Sequence, residues 1–113
     1  MSDCIFCKIV KREAPAEIIY ENEDAMAFYG LHFSAPVHAL VIPKKHIENI
    51  MDITEEDEKA IFQTHLAMKE VAIKLGIDQT GFRIITNTGE HGQQEVYHIH
   101  YHILGGRQLK WEM

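Results

Sequence analysis

The chain is predicted to fold as an α+β domain built on an antiparallel sheet, and three features of the sequence carry that expectation. Short β-favouring segments are joined by turn residues, and one long amphipathic segment with helix-capping signals stands apart from them. Residues 96–104 alternate histidine with apolar or aromatic residues at every second position. Strands joined by hairpins, with helices segregated from them, belong to this class.

A short helix is expected over residues 7–13. Ile18-Ile19-Tyr20 and residues 25–29 read as short strands, with Glu21-Asn22-Glu23-Asp24 as the turn between them. Residues 39–42 are a third strand. The long helix begins at Thr54, whose hydroxyl suits an N-cap; Asp57 follows three residues on, and Glu55 and Glu56 place negative charge where it complements the helix dipole. Its apolar stripe is Ile61, Met68, Val71, Ala72 and Leu75, and Gly76 is positioned to end it. This helix reads as scaffold. Residues 82–86 are a fourth strand, Asn87-Thr88-Gly89 leaves it, and residues 96–104 are the fifth. Pro15, Pro36 and Pro43 fall between elements, and no repeat or linker divides the chain.

At 113 residues the chain is one domain, 1–113, large enough to bury about two-thirds of its unfolded surface. Eleven basic residues against seventeen acidic ones give a net charge of −6, which argues against a sequence-independent grip on a nucleic-acid polymer. A small anionic ligand needs only local donors. No signal peptide or membrane-length apolar stretch is apparent, so no membrane partner is expected and the cytoplasm is the default address. The two cysteines, Cys4 and Cys7, would close too small a loop for a useful structural disulfide. Their spacing suits redox or metal chemistry, and alone supplies two of the four ligands zinc takes.

In an extended strand over residues 96–104, His98, His100 and His102 share one face, while Tyr97, Ile99, Tyr101 and Ile103 fill the other. Isolated histidines such as His65 and His91 are read as ordinary polar residues with satisfied hydrogen bonds. Three in register point to an acid, base, nucleophile or metal ligand. Same-face neighbours sit roughly 6.5 Å apart, so the outer two start about 13 Å apart at Cα. Zinc holds nitrogen at about 2 Å, so a neighbouring pair could chelate an ion but three on one ion would be strained. A central nucleophile or base with two flanking partners suits the spacing better.

Gly105-Gly106-Arg107 follows directly, and the run His-x-His-x-His, two apolar residues, Gly-Gly-Arg resembles the signature of the histidine triad (HIT) family, in its branch of small nucleoside phosphoramidate hydrolases. The segments His38-Ala39-Leu40-Val41-Ile42-Pro43-Lys44-Lys45-His46 and Ile5-Phe6-Cys7-Lys8-Ile9-Val10 are similar to that family too. The resemblance implies a HIT-like five-stranded sheet with one long and one or two short helices, pairing into a homodimer whose sheets join into one of ten strands. It implies attack by His100 on phosphorus through a nucleotidyl-histidine, with His98, His102 and His38 as the other catalytic residues and His102 the nearest general acid. Asn87 and the Gln93-Gln94-Glu95 loop look like phosphate contacts, joined in nucleotide binding by Gly30, Leu31, His100 and His102. Some members with the N-terminal cysteine pair bind zinc, which implies a structural site here through Cys4, Cys7, His46 and His98; no organic cofactor is expected.

Three departures from the pattern bear on specificity. Gly30 stands where an aspartate usually holds the ribose hydroxyls, His32 and Phe33 replace a small residue and a proline, and Gln93 replaces a small residue, often glycine. Lys44 and Lys45 read as a solvated pair, and Arg107 as either that or a phosphate contact. The alternatives are a dinucleoside polyphosphate or other nucleotide hydrolase, a nucleotide-binding regulatory protein with little turnover, and a metal-dependent hydrolase using two of the triad histidines. The tail, Gln108 to Met113 with Trp111, is expected by the same resemblance to reach toward a partner's pocket.

Overall fold

Five antiparallel strands form one sheet in the order β1-β2-β3-β5-β4 in the computed structural model, which describes residues 3–30 and 35–111. The strands are β1 (Ile18–Glu21), β2 (Ala25–Tyr29), β3 (Val37–Pro43), β4 (Phe82–Ile85) and β5 (Tyr101–Gly105); α1 spans Ile5–Val10 and α2 Glu58–Lys74. The α+β expectation holds, with the long helix and the short one both present.

The long helix packs on one face of the sheet and α1 on part of the other, and the alternation along each strand decides which residue goes where. In β2, Ala25 and Ala27 join the cluster packed by α2, while Met26 and Phe28 join a second cluster with Phe6, Ile9 and Ile42 on the α1 side. Small residues face the long helix because α2 lies close against β1, β2 and β3. Met26, Ile42, Ile99 and Ile103 are fully buried, each contributing about 1.5–3 kcal/mol of transfer free energy.

The helix start is built in two steps. Thr54 accepts from the Glu56 amide and Asp57 accepts from the Thr54 amide, closing a capping box over a single 3-10 turn at Glu55–Asp57 before α2 proper begins. Lys45, at the exit of β3, pairs with the buried Asp57 at 2.5 Å, and Lys44 pairs with Glu21 at 2.6 Å. Both lysines are thus fold-holding cations. The buried face of α2 includes Met68, Val71 and Ala72 as expected, with Ile61 and Leu75 half-buried against it, and adds Thr64 and Ala67. Thr64 is tolerated there because its hydroxyl donates to the Ala60 carbonyl.

Two elements differ most from the sequence reading, and β3 also starts two residues earlier and ends one later than expected, so Pro43, expected between elements, closes that strand. The first helix starts two residues earlier than expected and ends three earlier. Cys4 is its N-cap, its sulfur accepting from the Cys7 amide, and Arg12 at φ 64° turns the chain out while the Glu13 amide closes back on the Lys8 carbonyl. The fifth strand is shorter: residues 96–100 lie outside the ladder, so of the triad histidines only His102 stands on a strand. The β3–β5 register pairs Val41 with Tyr101 and would next oppose Ile99 to Pro43, which has no N–H to donate. The Ile99 amide instead donates to the Ile47 carbonyl. Ile99, Tyr101 and Ile103 still share the α2 side, whereas Tyr97 is exposed.

The loop from β4 back to β5 is stitched by side chains. Asn87 donates to the Gly92 carbonyl at 2.8 Å; the buried Gln94 accepts from the Gly89 amide and donates to the carbonyls of Glu48 and Val96. A Cβ at Gly92 would sit 2.5 Å from the Thr88 carbonyl oxygen, closer than any side chain tolerates. We therefore expect Gly92→Ala to lose about 1–3 kcal/mol in urea unfolding as the backbone moves to relieve the clash. An unchanged midpoint would show that the loop is not closed in this way.

Candidate active site and metal centre

The three triad histidines face different partners, and for His98 and His100 the partner fixes the tautomer. His98, fully buried, places Nε2 2.8 Å from the Pro43 carbonyl oxygen. A carbonyl can only accept, so the proton is on Nε2 and the Nδ1 lone pair faces the sulfurs of Cys4 and Cys7, at 3.4 and 3.6 Å. His100 places Nδ1 2.9 Å from the His98 carbonyl, so its proton is on Nδ1 and the lone pair is on Nε2. His102 Nδ1 lies 3.0 Å from Nε2 of His38, the two rings stacked at 25°. One proton lies in that bond. The His100 and His102 ring centroids are 5.2 Å apart.

Burial keeps the group neutral. It pushes the His98 pKa down to about 4, against a smaller raising effect of the Pro43 bond. It pushes His102 down to about 4 as well, with repulsion from His100 and His38 in the same direction. For His100 burial again lowers the pKa, opposed by the His98 carbonyl and by the negative charge of Glu95.

His38 enters from β3 and is buried beside Gly30; a Cβ built at Gly30 would lie 3.0 Å from two of its ring atoms. Gly30 therefore admits the ring against the backbone, and offers no side-chain acceptor. Leu31, with His32 and Phe33, lies outside the described residues.

In the loop before the triad, the amides expected to face a phosphate are partly committed. Gln93 donates to the Glu90 carbonyl and Gln94 to that of Gly89, leaving Glu95, among the described residues of that trio, with its amide outside any backbone bond. Gln93 sits at φ 61°, a left-handed conformation that favours glycine and costs other residues about 1–2 kcal/mol. Arg107 reaches the Gln108 carbonyl, and Arg83 lies over the exposed Trp111 ring at 6.0 Å. His65, exposed on α2, donates from Nδ1 to the Ile61 carbonyl, the ordinary role expected of it.

Two contacts were not legible beforehand. Phe6 packs edge-on to His100 at 5.0 Å and to His98 at 5.8 Å, and the Pro43 carbonyl holds His98. An aromatic residue between two cysteines was the available signal for the first. Nothing in the sequence marked the second.

Cys4, Cys7, His46 and His98 bring one ligand atom each within 4.8 Å of one another, and His46 Nδ1 lies 3.3 Å from the Cys7 sulfur. Tetrahedral zinc has sulfur–nitrogen edges of roughly 3.6 Å, so the sulfur–nitrogen contacts of 3.3–3.6 Å match a two-thiolate, two-imidazole cage. The His98 ring is already oriented for it by its outer bond to a carbonyl. Burial and the neighbouring Cys4 push the Cys7 thiol pKa up, so ion binding would release a proton there.

A sequence model of the HIT domain matches residues 11–109. A HIT-like protein of Synechococcus elongatus is 45% identical over 96% of this chain and 95% of its own length. The purine nucleoside phosphoramidase of Escherichia coli is 42% identical over 95% of this chain and 90% of its own. The solved structure of a HIT family hydrolase from Clostridium thermocellum superposes with a TM-score of 0.95 at 43% identity, covering 100% of this chain and 98% of that one. A histidine triad protein from Clostridium difficile gives 0.93 at 43% identity, with the same coverage. With its five-stranded antiparallel sheet, one long helix and matching span, the chain belongs to the HIT family.

Proposed function

We propose that this protein is a purine nucleoside phosphoramidate hydrolase in which Nε2 of His100 attacks phosphorus. The observation that carries the reading is the tautomer of His100: its proton is held on Nδ1 by the His98 carbonyl, which leaves a neutral imidazole with a bare Nε2. The 42% identity to a purine nucleoside phosphoramidase supports the substrate class.

In the first step the Nε2 lone pair forms a bond to phosphorus as the phosphorus–amine bond breaks. The amine leaves poorly without a proton, so the step requires the singly protonated form of the His102–His38 pair: His102 hands that proton to the leaving nitrogen, and the bond to His38 keeps the remaining one between two neutral rings. In the second step water attacks phosphorus, the phosphorus–His100 bond breaks, and the water's proton returns to the His102–His38 pair. Products are a nucleoside monophosphate and an amine. In this reading Asn87, the Gln93-Gln94-Glu95 loop and Gly30 line the nucleotide, Leu31 being a nucleotide-binding candidate outside the described residues, and the Glu95 amide is the loop donor that remains for phosphate.

Zinc in the Cys4–Cys7–His46–His98 cage would be structural, since all four tetrahedral positions are taken by protein. Thiolate ligands call for a reducing compartment, which favours the cytoplasm; among the described residues no helix is long and apolar enough to cross a membrane. We also infer a homodimer formed along β4, an edge strand that presents Phe82 and Ile84 to solvent.

His100→Gly is expected to abolish turnover of an adenosine phosphoramidate while the nucleoside monophosphate still binds, as read by product chromatography and calorimetry. Cleavage of a dinucleoside polyphosphate alone by the unaltered protein would favour the other hydrolase, and binding without product the regulator. Purified protein should hold one zinc per chain, measured by elemental analysis, and lose it in Cys4→Ser. Metal-free protein of full stability would remove the site.

Stability should fall on acidification through His102. Its pKa is about 4 in the fold against 6.5 ordinarily, so between those values the unfolded chain binds the extra proton and stability rises with pH. The slope attributable to this group is about 1.4 kcal/mol per pH unit. Urea unfolding of His102→Asn should show a shallower pH dependence than the parent; equal slopes would mean the ring is accessible to protons in the fold.

A further inference from the structure

We propose that Phe6 is a positioning residue for the nucleophile, and that Phe6 and the His98 carbonyl together make the metal ligands and the reacting imidazole one mechanical unit. This rests on the reading of His100 as the attacking group.

Phe6 lies between the two cysteines, on the α1 turn that Cys4 caps. Its ring is buried with Ile9, Met26, Phe28 and Ile42, and meets His100 at 5.0 Å and 76° and His98 at 5.8 Å and 80°. Both contacts are edge-to-face, the geometry aromatic rings prefer. A histidine side chain has two torsions. The Nδ1–H bond to the His98 carbonyl, at 2.9 Å, constrains the ring from its own backbone side, and Phe6 closes the space beside its plane. Together they leave Nε2 one direction to face.

Both contacts hang on metal-ligand residues. The carbonyl that anchors His100 belongs to His98, whose Nδ1 faces Cys4 and Cys7; Phe6 sits on the segment those two cysteines would tether. A six-residue helix such as α1 has little stability of its own, so its place depends on what pins its ends. Ligation of Cys4 and Cys7 alongside His98 would hold both contacts at once.

The test pairs a variant with metal removal. Phe6→Leu keeps the site apolar but deletes the ring edge. In zinc-loaded Phe6→Leu, kcat on an adenosine phosphoramidate should fall about tenfold while KM stays within about twofold, because a misplaced nucleophile loses rate and not affinity. Nitrogen-15 spectra of labelled histidine should show His100 leaving its single Nδ1–H tautomer. Stripping zinc from the unaltered protein should produce the same tautomer mixing, reversed when zinc is returned, with circular dichroism reporting that the fold persists. Where Phe6→Leu unfolds, Phe6→Met serves in its place. Parental kcat with an undisturbed His100 tautomer in the variant overturns the positioning role, and an undisturbed tautomer in folded, zinc-free protein overturns the coupling. Should His100→Gly retain turnover, the nucleophile reading is what fails, while the tautomer spectra still decide the contacts.

Discussion

One hydrogen bond, from Nε2 of His98 to the carbonyl of Pro43, organises everything around the site. A fully buried imidazole without a partner would cost about 1–3 kcal/mol, so this bond is first a condition of burial. It also commits the proton to Nε2, which turns the Nδ1 lone pair toward Cys4, Cys7 and His46. It also anchors the residue whose backbone carbonyl accepts from Nδ1 of His100, and that carbonyl sets the second imidazole's tautomer. Pro43 is suited to this end of β3, since it keeps an acceptor while lacking the donor that would extend the ladder.

That same proline explains where the sequence was misread. Alternation over residues 96–104 correctly put Ile99, Tyr101 and Ile103 on one shared face, because these residues do fill one cluster, and wrongly added Tyr97, which is exposed. It overestimated the strand, because side-chain period alone cannot reveal that the neighbour has run out of N–H groups. The long helix was legible for the opposite reason: its cap, charges and apolar stripe are all local, and Thr54 and Asp57 bond as their spacing implies. Cys4 was recognised as a ligand candidate but not as a helix cap, since sulfur is an uncommon N-cap acceptor. His38 was placed beside the triad by resemblance; its contact with His102 spans 64 residues, which no local pattern encodes.

A chain of net charge −6 can still receive an anion, because what the site offers is local and largely neutral. Charged imidazoles would attract phosphate but could not attack it, and burial keeps them unprotonated near neutral pH. At His100 that lowering is opposed first by the bond to the His98 carbonyl and then by the negative charge of Glu95, and the Glu95 effect is the one the flanking rings lack. A nucleophile benefits from basicity, and the flanking rings do not need it in the same degree.

The triad is therefore poorly described as three equivalent histidines. His98 is a structural hinge with one face toward the sulfurs, His100 presents the bare nitrogen, and His102 shares a proton with His38. A substitution at His98 would remove a buried hydrogen bond, a candidate metal-ligand atom and the carbonyl-fixed orientation of the ring, and loss of activity there could not be assigned to any one of them. Phe6 and Cys4 are the better places to separate these effects, because each touches only part of the arrangement. Cys4 reaches the ligand cage and caps α1, whereas Phe6 reaches the rings and binds nothing. If rate follows Phe6 while zinc content follows Cys4, geometry and ligation are distinct causes that meet at one residue.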